Sequence, residues 1–466
     1  MLFNSFTYLL FFPAVCIFYY LIPQKVRWIF LLITSYYFYM NWEPVYALLI
    51  LLSTIITYVC AHFINREASY KKRKILLLVS IFSNFSILFL FKYYNFITVA
   101  VFDLLVAFNA RVDFPEFKLL LPVGISFYTF QAVGYTVDVY YKKVVPEKNF
   151  GKYALFVSFF PQLVAGPIER TKNLLPQFSQ IKDFDYNKAI VGTKLIIWGF
   201  FMKVVVADRL SIYVDSVYDN SDMHSAVTLI VATVFFAIQI YCDFGGYSNI
   251  AIGCAKILGF DLMTNFERPY FAKNCSDFWR RWHISLSTWF KDYVYIPLGG
   301  NRTSNTRKYA NLLITFIVSG LWHGANWTFV VWGALNGIFQ VFLNIFKIEK
   351  RLPKNSLVGT LRILTTFILI NFTWIFFRAN NIAHAFTIIE RMFTVSGSFF
   401  IGAQASFSYS LLGIAILFAK DFVDEYDIQL FFSNSRTAKY LWFSMLTILI
   451  LSIGVFDGSQ FIYFQF

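Results

Sequence analysis

Charge is scarce in this chain. Of its 466 residues, 14% are Asp, Glu, Lys or Arg, against about 25% in an ordinary soluble protein. With 58% hydrophobic residues beside so little charge, the chain does not read as a soluble globular protein. Cysteine and histidine are scarce too, with five of each. Cys16, Cys60, Cys242, Cys254 and Cys275 form no C-x-x-C pair and mostly lie in or next to apolar runs, so they read as small buried hydrophobes. The five isolated histidines make no metal cluster. His283 and His323 would be a ligand pair only with a third partner that the sequence does not name, so no metal is expected. No Ser or Cys sits in a G-x-S-x-G elbow, which leaves a covalent enzyme intermediate on those residues without support. Internal repeats, low-complexity segments and a soluble domain are all missing, so one transmembrane domain over 1–466 is expected, ending in a short aromatic tail, 457–466. Met1 to Phe6 has no basic n-region, and no small-residue cleavage site follows the first apolar run, Phe3 to Ile22. That run reads as a first spanning helix rather than a cleaved leader.

What the chain has instead is apolar runs of about 20 residues, the length that spans a bilayer. Spanning segments are helices, because a helix satisfies its own backbone in lipid. The fold class is therefore an all-α polytopic membrane protein with about 11–12 transmembrane helices. The formal net charge of +14 would suggest nucleic acid on a soluble protein. Here the positive charge sits in short loops between apolar runs, as membrane orientation requires, so no nucleic-acid partner is expected. Lys25 and Arg27 follow the first run. Trp28–Met40 and Pro44–Cys60 form a hairpin, and the loop after it carries Arg66, Lys71, Lys72, Arg73 and Lys74. Ile75 to Phe91 then crosses to a non-basic stretch starting near Asp103, and Leu119 to Tyr140 returns to Lys142, Lys143, Lys148 and Lys152. The alternation puts the basic loops in the cytoplasm and the N-terminus outside.

Three stretches break the pattern. Tyr153 to Ile168 is short and interrupted by Pro161, Gly166 and Pro167, which predicts a re-entrant or half-helix. Asp243-Phe244-Gly245-Gly246-Tyr247-Ser248 interrupts a hydrophobic run, either as cavity lining or as a helix–helix turn. Asp261 to Lys308 is the least apolar stretch. Within it, Cys275 to Tyr295 tests well as one interfacial helix. Trp279, Trp282, Leu286, Trp289 and Tyr293 fall on one stripe, and Arg280, His283, Ser287 and Lys291 on the adjoining one. Ser276 would cap it, with Asp277 in the first turn. The polar stripe either faces lipid headgroups and water or lines a cytoplasmic cavity where Arg280 and Lys291 meet a donor's phosphates.

The remaining signal is Ser319-Gly320-Leu321-Trp322-His323-Gly324-Ala325-Asn326-Trp327, inside the apolar run Tyr309 to Ile348. An imidazole at membrane depth is costly unless it has a partner or a task. With an unperturbed pKa of about 6.5 it suits removal of a proton from an attacking hydroxyl. His323 is the better base candidate, since it lies deeper in apolar sequence. His283 would orient, bind the donor or polarise. Oxyanion stabilisation needs the second His, an Asn or a backbone N–H. Trp322, Asn326 and Asp243 complete the substrate-binding candidates.

Gly320-Leu321-Trp322-His323-Gly324 resembles the signature of membrane-bound O-acyltransferases, in particular the bacterial alginate O-acetyltransferase branch. Phe160-Pro161-Gln162-Leu163-Val164-Ala165-Gly166-Pro167-Ile168, Tyr241 to Ser248, Phe278 to Ser287 and Tyr295-Ile296-Pro297-Leu298-Gly299-Gly300 match in family order. The resemblance implies a central tunnel, no bound cofactor, acetyl-CoA or another cytoplasmic acyl thioester as donor, and a catalytic His at His323. It implies an SGNH hydrolase-like partner outside, a cell-surface polysaccharide acceptor, and residence in the bacterial cytoplasmic membrane with the lipid bilayer around it. A D-alanyl transferase of the teichoic-acid type shares the His signature, and a non-enzymatic envelope-precursor transporter would also explain broken helices. The tail Phe461-Ile462-Tyr463-Phe464-Gln465-Phe466 is similar to the C-terminal motif of small peptides that accompany D-alanyl-transferring relatives. That similarity implies an acyl relay at Tyr463; an aromatic interfacial anchor is the alternative.

Overall fold

The computed structural model describes residues 1–110, 112, 114–117, 121–164, 166–348, 356–429 and 435–456. Tyr463 lies outside them. Helices are the only regular element among the described residues, and seven are long and apolar enough to cross a membrane: Pro44–Arg66, Tyr70–Ala107, Tyr186–Tyr218, Ala226–Ile257, Trp327–Ile345, Leu357–Arg378 and Gln404–Glu425. Phe6–Leu21 and Thr437–Ile453 are shorter apolar helices. The chain is an all-α polytopic membrane protein. Some expected crossings form short helices: Trp28–Met40 falls in a 14-residue helix, and the helix within the expected Leu119–Tyr140 crossing is Ile125–Tyr140, 16 residues. Two compact units make up the chain, Met1–Gly192 with Cys254–Met263, and Thr193–Gly253 with Thr264–Phe466.

The first unit holds α1 (Phe6–Leu21), α2 (Arg27–Met40), α3 (Ala47–Arg66), α4 (Tyr70–Leu88), α5 (Tyr94–Ala107), α6 (Ile125–Tyr140), α7 (Phe150–Ser158), α8 (Phe160–Leu163) and α9 (Thr171–Leu174). A π-helical turn, Phe89–Tyr93, joins α4 to α5 without a stop. The polar stretch expected from Asp103 therefore begins later, since Asp103 is inside α5. The reason is local: no Gly or Pro occurs between Ile75 and Ala107, and one carboxylate does not end a helix. Short polar side chains tie α3, α4, α6 and α7 together. Ser53 donates to Asn84 at 2.5 Å, Ser80 to Thr136 at 3.0 Å, and the Thr57 and Tyr153 hydroxyls meet at 2.7 Å. Apolar surface gives little drive for association in lipid, so such bonds and close packing take its place.

The break expected near Pro161 is present between α7 and α8, at Phe159. Buried side chains bind backbone groups on both sides of it. The Phe160 N–H donates to Ser35 Oγ at 3.1 Å, and Gln131 Nε2 donates to the Phe156 carbonyl at 2.6 Å. Gln162 donates in turn to Gln131 Oε1.

The second unit contains most of α10 (Tyr186–Phe200), then α11 (Asp208–Tyr218), α12 (Ala226–Ile257), α13 (Cys275–Arg281), α14 (Ile284–Phe290), α15 (Asn305–His323), α16 (Trp327–Ile345), α17 (Ser356–Arg378), α18 (Ile382–Thr394), α19 (Gln404–Glu425) and α20 (Arg436–Ile453). The last turn of α12 belongs to the first unit. Against the reading of Asp243–Ser248 as a helix–helix turn, α12 runs through it unbroken for 32 residues. Its glycine serves packing: a Cβ on Gly246 would lie 2.7 Å from the Gly199 carbonyl oxygen, so α10 and α12 touch backbone to backbone.

That contact adjoins a π-helical segment, Phe201–Ala207, between α10 and α11. Its wide turn leaves the Val204 carbonyl to accept from the Val455 N–H at 2.9 Å, just past α20. It also buries Lys203, which is 1% exposed and meets Asp208 at 2.7 Å and Asp243 at 2.6 Å, with its Nζ 5.3 Å from the centre of the Tyr247 ring. Asp243 thus faces a cation from α10–α11. Buried charges persist when paired, and removing one partner of such a set costs about 3–5 kcal/mol. Lys203→Met should lower the thermal unfolding midpoint of the purified protein in detergent accordingly. Lys203→Met with Asp208→Asn and Asp243→Asn should recover part of the loss. An unchanged midpoint in the single variant would show that the carboxylates do not depend on Lys203.

Candidate functional site

The signature residues close one helical hairpin. Helix α15 ends at His323, Gly324 is extended, and α16 begins at Trp327. The two helices pack backbone to backbone. A Cβ on Gly320 would lie 2.1 Å from the Phe329 carbonyl oxygen, and one on Gly333 2.4 Å from that of Phe316. Asn326 caps α16: its Oδ1 accepts from Thr328 N at 3.0 Å and its Nδ2 donates to the Asn380 carbonyl at 2.8 Å. Both groups of its amide are therefore engaged with backbone.

His323 is 3% exposed. Its ring centre lies 5.0 Å from Trp322, 5.0 Å from Trp332 and 5.3 Å from Phe377. Trp332 packs on Phe377 at 5.2 Å and stacks on Trp374 at 5.8 Å, so α16 and α17 supply most of the wall. This imidazole sits at the carbonyl end of a 19-residue helix, where positive charge is favoured.

Cys275–Tyr295 is not one helix. It splits into α13 and α14 at Trp282-His283, and α14 passes into a π-helical turn, Lys291–Tyr295. His283 takes the left-handed conformation, φ +43° and ψ +54°, which is uncommon outside glycine. Asn265, fully buried, pins the break. Its carbonyl accepts from Ile284 N at 2.9 Å, and its Oδ1 accepts from Ser285 Oγ at 2.9 Å and Ser285 N at 3.3 Å. Its Nδ2 donates to Ser248 on α12 at 3.1 Å. The cap of α13 is Asn274, which accepts from Asp277 N at 2.8 Å. Ser276, the expected cap, instead donates to Gln340 on α16 at 2.5 Å. Helical spacing alone did not reveal a partner at residue 265 that captures the backbone of the turn.

The break separates the expected polar stripe. Arg280, Ser287 and Lys291 line a cavity of about 350 Å³ together with Lys308, Phe316 and Ser319 of α15. His283 is not among its lining residues. It is 1% exposed and packs against Phe244 at 4.5 Å, Trp322 at 6.0 Å and Phe266 at 6.3 Å. Its Nδ1 accepts from the Leu286 N–H at 3.2 Å. Burial pushes its pKa down to about 3, so the ring is neutral at physiological pH.

Trp322 therefore contacts both imidazoles. Packed aromatics stand between the cavity and His323: Trp279, on its lining, contacts Phe316 at 5.3 Å and Trp332 at 5.6 Å, and Trp332 contacts His323. Of the residues singled out from sequence, His283, Trp322 and His323 share this cluster, and Arg280 and Lys291 share the cavity. Asp243 lies on α12, one residue before the Phe244 that covers His283. Sequence reasoning passed over Lys308, Asn265, Trp332, Phe377 and Lys203. Only Lys203 carried a signal, a lone cation in a Val-rich apolar run.

A sequence profile of the membrane-bound O-acyltransferase family matches residues 146–383. Among similar proteins is "Probable alginate O-acetylase AlgI" of Pseudomonas aeruginosa, 36% identical over 84% of this chain and 75% of its own length. The protein of the same description in Azotobacter vinelandii is 34% identical over 94% of this chain and 87% of its own. "Peptidoglycan O-acetyltransferase" of Helicobacter pylori is 34% identical over 79% of this chain and 74% of its own. The chain belongs to the membrane-bound O-acyltransferase family, in its alginate O-acetyltransferase-like branch, and is a membrane O-acetyltransferase.

Proposed function

We propose that this enzyme takes an acetyl group from cytoplasmic acetyl-CoA, with no bound cofactor, and passes it across the bacterial cytoplasmic membrane for O-acetylation of a cell-surface polysaccharide. The observation that carries this reading is a buried imidazole, His323, joined through Trp332 and Trp279 to a cavity bearing three basic side chains. Arg280, Lys291 and Lys308 suit the phosphates of a coenzyme A thioester, since charge-assisted bonds to phosphate are the strong ones. The aromatic wall suits the uncharged acetyl end. Relatives named for alginate and peptidoglycan O-acetylation favour a polysaccharide acceptor and an acetyl group over D-alanine. An SGNH hydrolase-like protein outside is the proposed partner for the final transfer.

The proposed chemistry uses no metal. An acceptor hydroxyl gives its proton to His323 as its oxygen attacks the thioester carbonyl carbon. The C–S bond then breaks, and the departing thiolate takes the proton back. The carbonyl end of α15 favours the imidazolium that exists between these events. The first acceptor in this scheme is the phenol of Tyr463. A phenol, with pKa about 10, loses its proton more easily than an aliphatic alcohol, and its ester passes the acetyl group on more readily.

His323→Ala should lower acetyl transfer from labelled acetyl-CoA in proteoliposomes by about 10²–10⁴-fold while leaving the protein inserted and folded. Activity near wild type in that variant would remove the base from the scheme. Charge reversal at Arg280, Lys291 or Lys308 should raise KM for acetyl-CoA about tenfold or more, with a smaller effect on kcat. Unchanged donor affinity would make these side chains interfacial anchors. Tyr463→Phe keeps the ring and removes only the hydroxyl. It should abolish polymer acetylation, and acetyl label should appear on the wild-type tail by mass spectrometry. Normal acetylation of polymer by Tyr463→Phe would reduce the tail to an anchor.

A further inference from the structure

Two N–H donors on the lining of the cavity go unused by the protein. Gln340, on α16, is 6% exposed and lines the cavity. Its Oε1 accepts from Ser276 Oγ of α13 at 2.5 Å, while its Nε2 meets no acceptor among the described residues. Trp279, one turn after Ser276 in α13, also lines the cavity, and its buried Nε1 has no acceptor either. Buried polar groups are nearly always hydrogen-bonded. A pair left open on one cavity therefore suits a ligand that brings acceptor oxygens. Neutral N–H groups fit carbonyl oxygens, whereas the cations of the same cavity fit phosphate.

These groups stand at different depths along α16. Lys308 Nζ donates to Asn344 Oδ1 at 2.7 Å, which puts a cation at the level of Asn344. Gln340 is one turn nearer the signature, about 6 Å along the axis. Trp332, which contacts both Trp279 and His323, is two turns further on, about 12 Å. A phosphopantetheine arm carries matching groups in the same order. Its phosphate is followed, after a short carbon chain, by the pantoyl amide, then the cysteamine amide, then the thioester. From the pantoyl carbonyl to the thioester carbon the arm is as long as about three extended peptide residues, about 10 Å.

We infer that Gln340 and Trp279 are specificity residues for the donor's pantetheine arm, with Gln340 Nε2–H binding the pantoyl carbonyl and Trp279 Nε1–H the cysteamine carbonyl. The inference rests on the proposed acetyl-CoA donor and adds what the cations do not supply. A group of cations binds any polyphosphate, in any register. Two neutral donors at fixed depths bind one kind of chain in one register, and so set how far the thioester reaches toward His323. Ser276 is a positioning residue: it holds the Gln340 amide by its oxygen, which leaves the N–H for the ligand.

The test uses two competitors of acetyl-CoA that carry no phosphate, pantetheine and N-acetylcysteamine, on the full-length enzyme in proteoliposomes. N-acetylcysteamine keeps the cysteamine amide and lacks the pantoyl amide. For wild type, the inhibition constant of pantetheine should be about tenfold or more below that of N-acetylcysteamine. Gln340→Met has a similar shape and no N–H. It should raise KM for acetyl-CoA and the inhibition constant of pantetheine about tenfold each, with kcat and N-acetylcysteamine little changed. A residue that only supports the fold would not separate the two competitors. Gln340→Glu keeps the oxygen that Ser276 binds and loses the N–H, so it carries the same comparison if Gln340→Met does not fold. Trp279→Phe should weaken both competitors alike, about tenfold. A wild type on which pantetheine competes no better than N-acetylcysteamine overturns the inference without any variant. A folded Gln340 variant that keeps the wild-type preference overturns it too, and an unaltered Trp279→Phe overturns the cysteamine contact. A wild type that takes no acetyl group from acetyl-CoA sinks the proposed donor itself, so the two failures are distinguishable.

Discussion

The backbone contact between α15 and α16 is the constraint on which the site depends. With Gly320 against the Phe329 carbonyl and Gly333 against that of Phe316, the two helices sit closer than any side chain between them would allow. That closeness leaves His323 as the last residue of α15, directly against Trp332 of the next helix. A larger residue at 320 would separate the helices and open the wall that keeps the ring dry. Membrane helices commonly associate through small residues because lipid supplies little hydrophobic drive. Here the same device also sets the surroundings of an imidazole.

Much of this was legible in the sequence, and the parts that were not share a cause. The Trp322-His323 pair between glycines was readable because a polar group in a long apolar run stands out, and Arg280 and Lys291 were readable because helical spacing put them on one face. That spacing survives within α14 and its π-helical extension, so Ser287 and Lys291 do share the cavity with Arg280. The break at His283 was not readable, because it is imposed by Asn265, which lies outside the segment tested. Local periodicity describes what a segment prefers; it does not report a buried amide elsewhere that competes for the same backbone donors. Asp243-Phe244-Gly245-Gly246 misled in the opposite sense. Two glycines and a carboxylate look like a helix breaker, yet Gly246 is where α10 crosses and Asp243 is balanced by Lys203.

Lys203 and His283 illustrate two ways of keeping an ionisable group away from water. Lys203 keeps its charge and is met by two carboxylates at salt-bridge distance. His283 carries no charge and is surrounded by rings, with one backbone N–H on its acceptor nitrogen. The first is stable only as a set, because each member would be an uncompensated charge without the others. The second needs no counter-charge, since a neutral ring among aromatics avoids the cost of burying an ion. The π-helical segment that carries Lys203 and the left-handed turn that carries His283 both spend regular hydrogen bonding to achieve these placements, and each recovers it from a distant group, Val455 N in one case and Asn265 in the other.

Water is the competitor of any acyl transfer, because a thioester that meets water at a base is hydrolysed. The arrangement of charge and aromatic surface addresses this physically. Arg280, Lys291 and Lys308 are gathered on the cavity, where the donor of the proposed scheme would remain hydrated. Between that cavity and His323 stand Trp279 and Trp332, and beyond them Trp374 and Phe377. An acetyl group is small and uncharged enough to be accommodated among indole rings, whereas a water molecule there would have few partners to replace its bulk hydrogen bonds. The same dryness strengthens any hydrogen bond offered to a developing oxyanion, since the local dielectric is low. In the proposed scheme, a base at His323 would be weakly hydrated until an acceptor hydroxyl arrives, so the aromatic wall would both suppress hydrolysis and strengthen the electrostatics of the transfer.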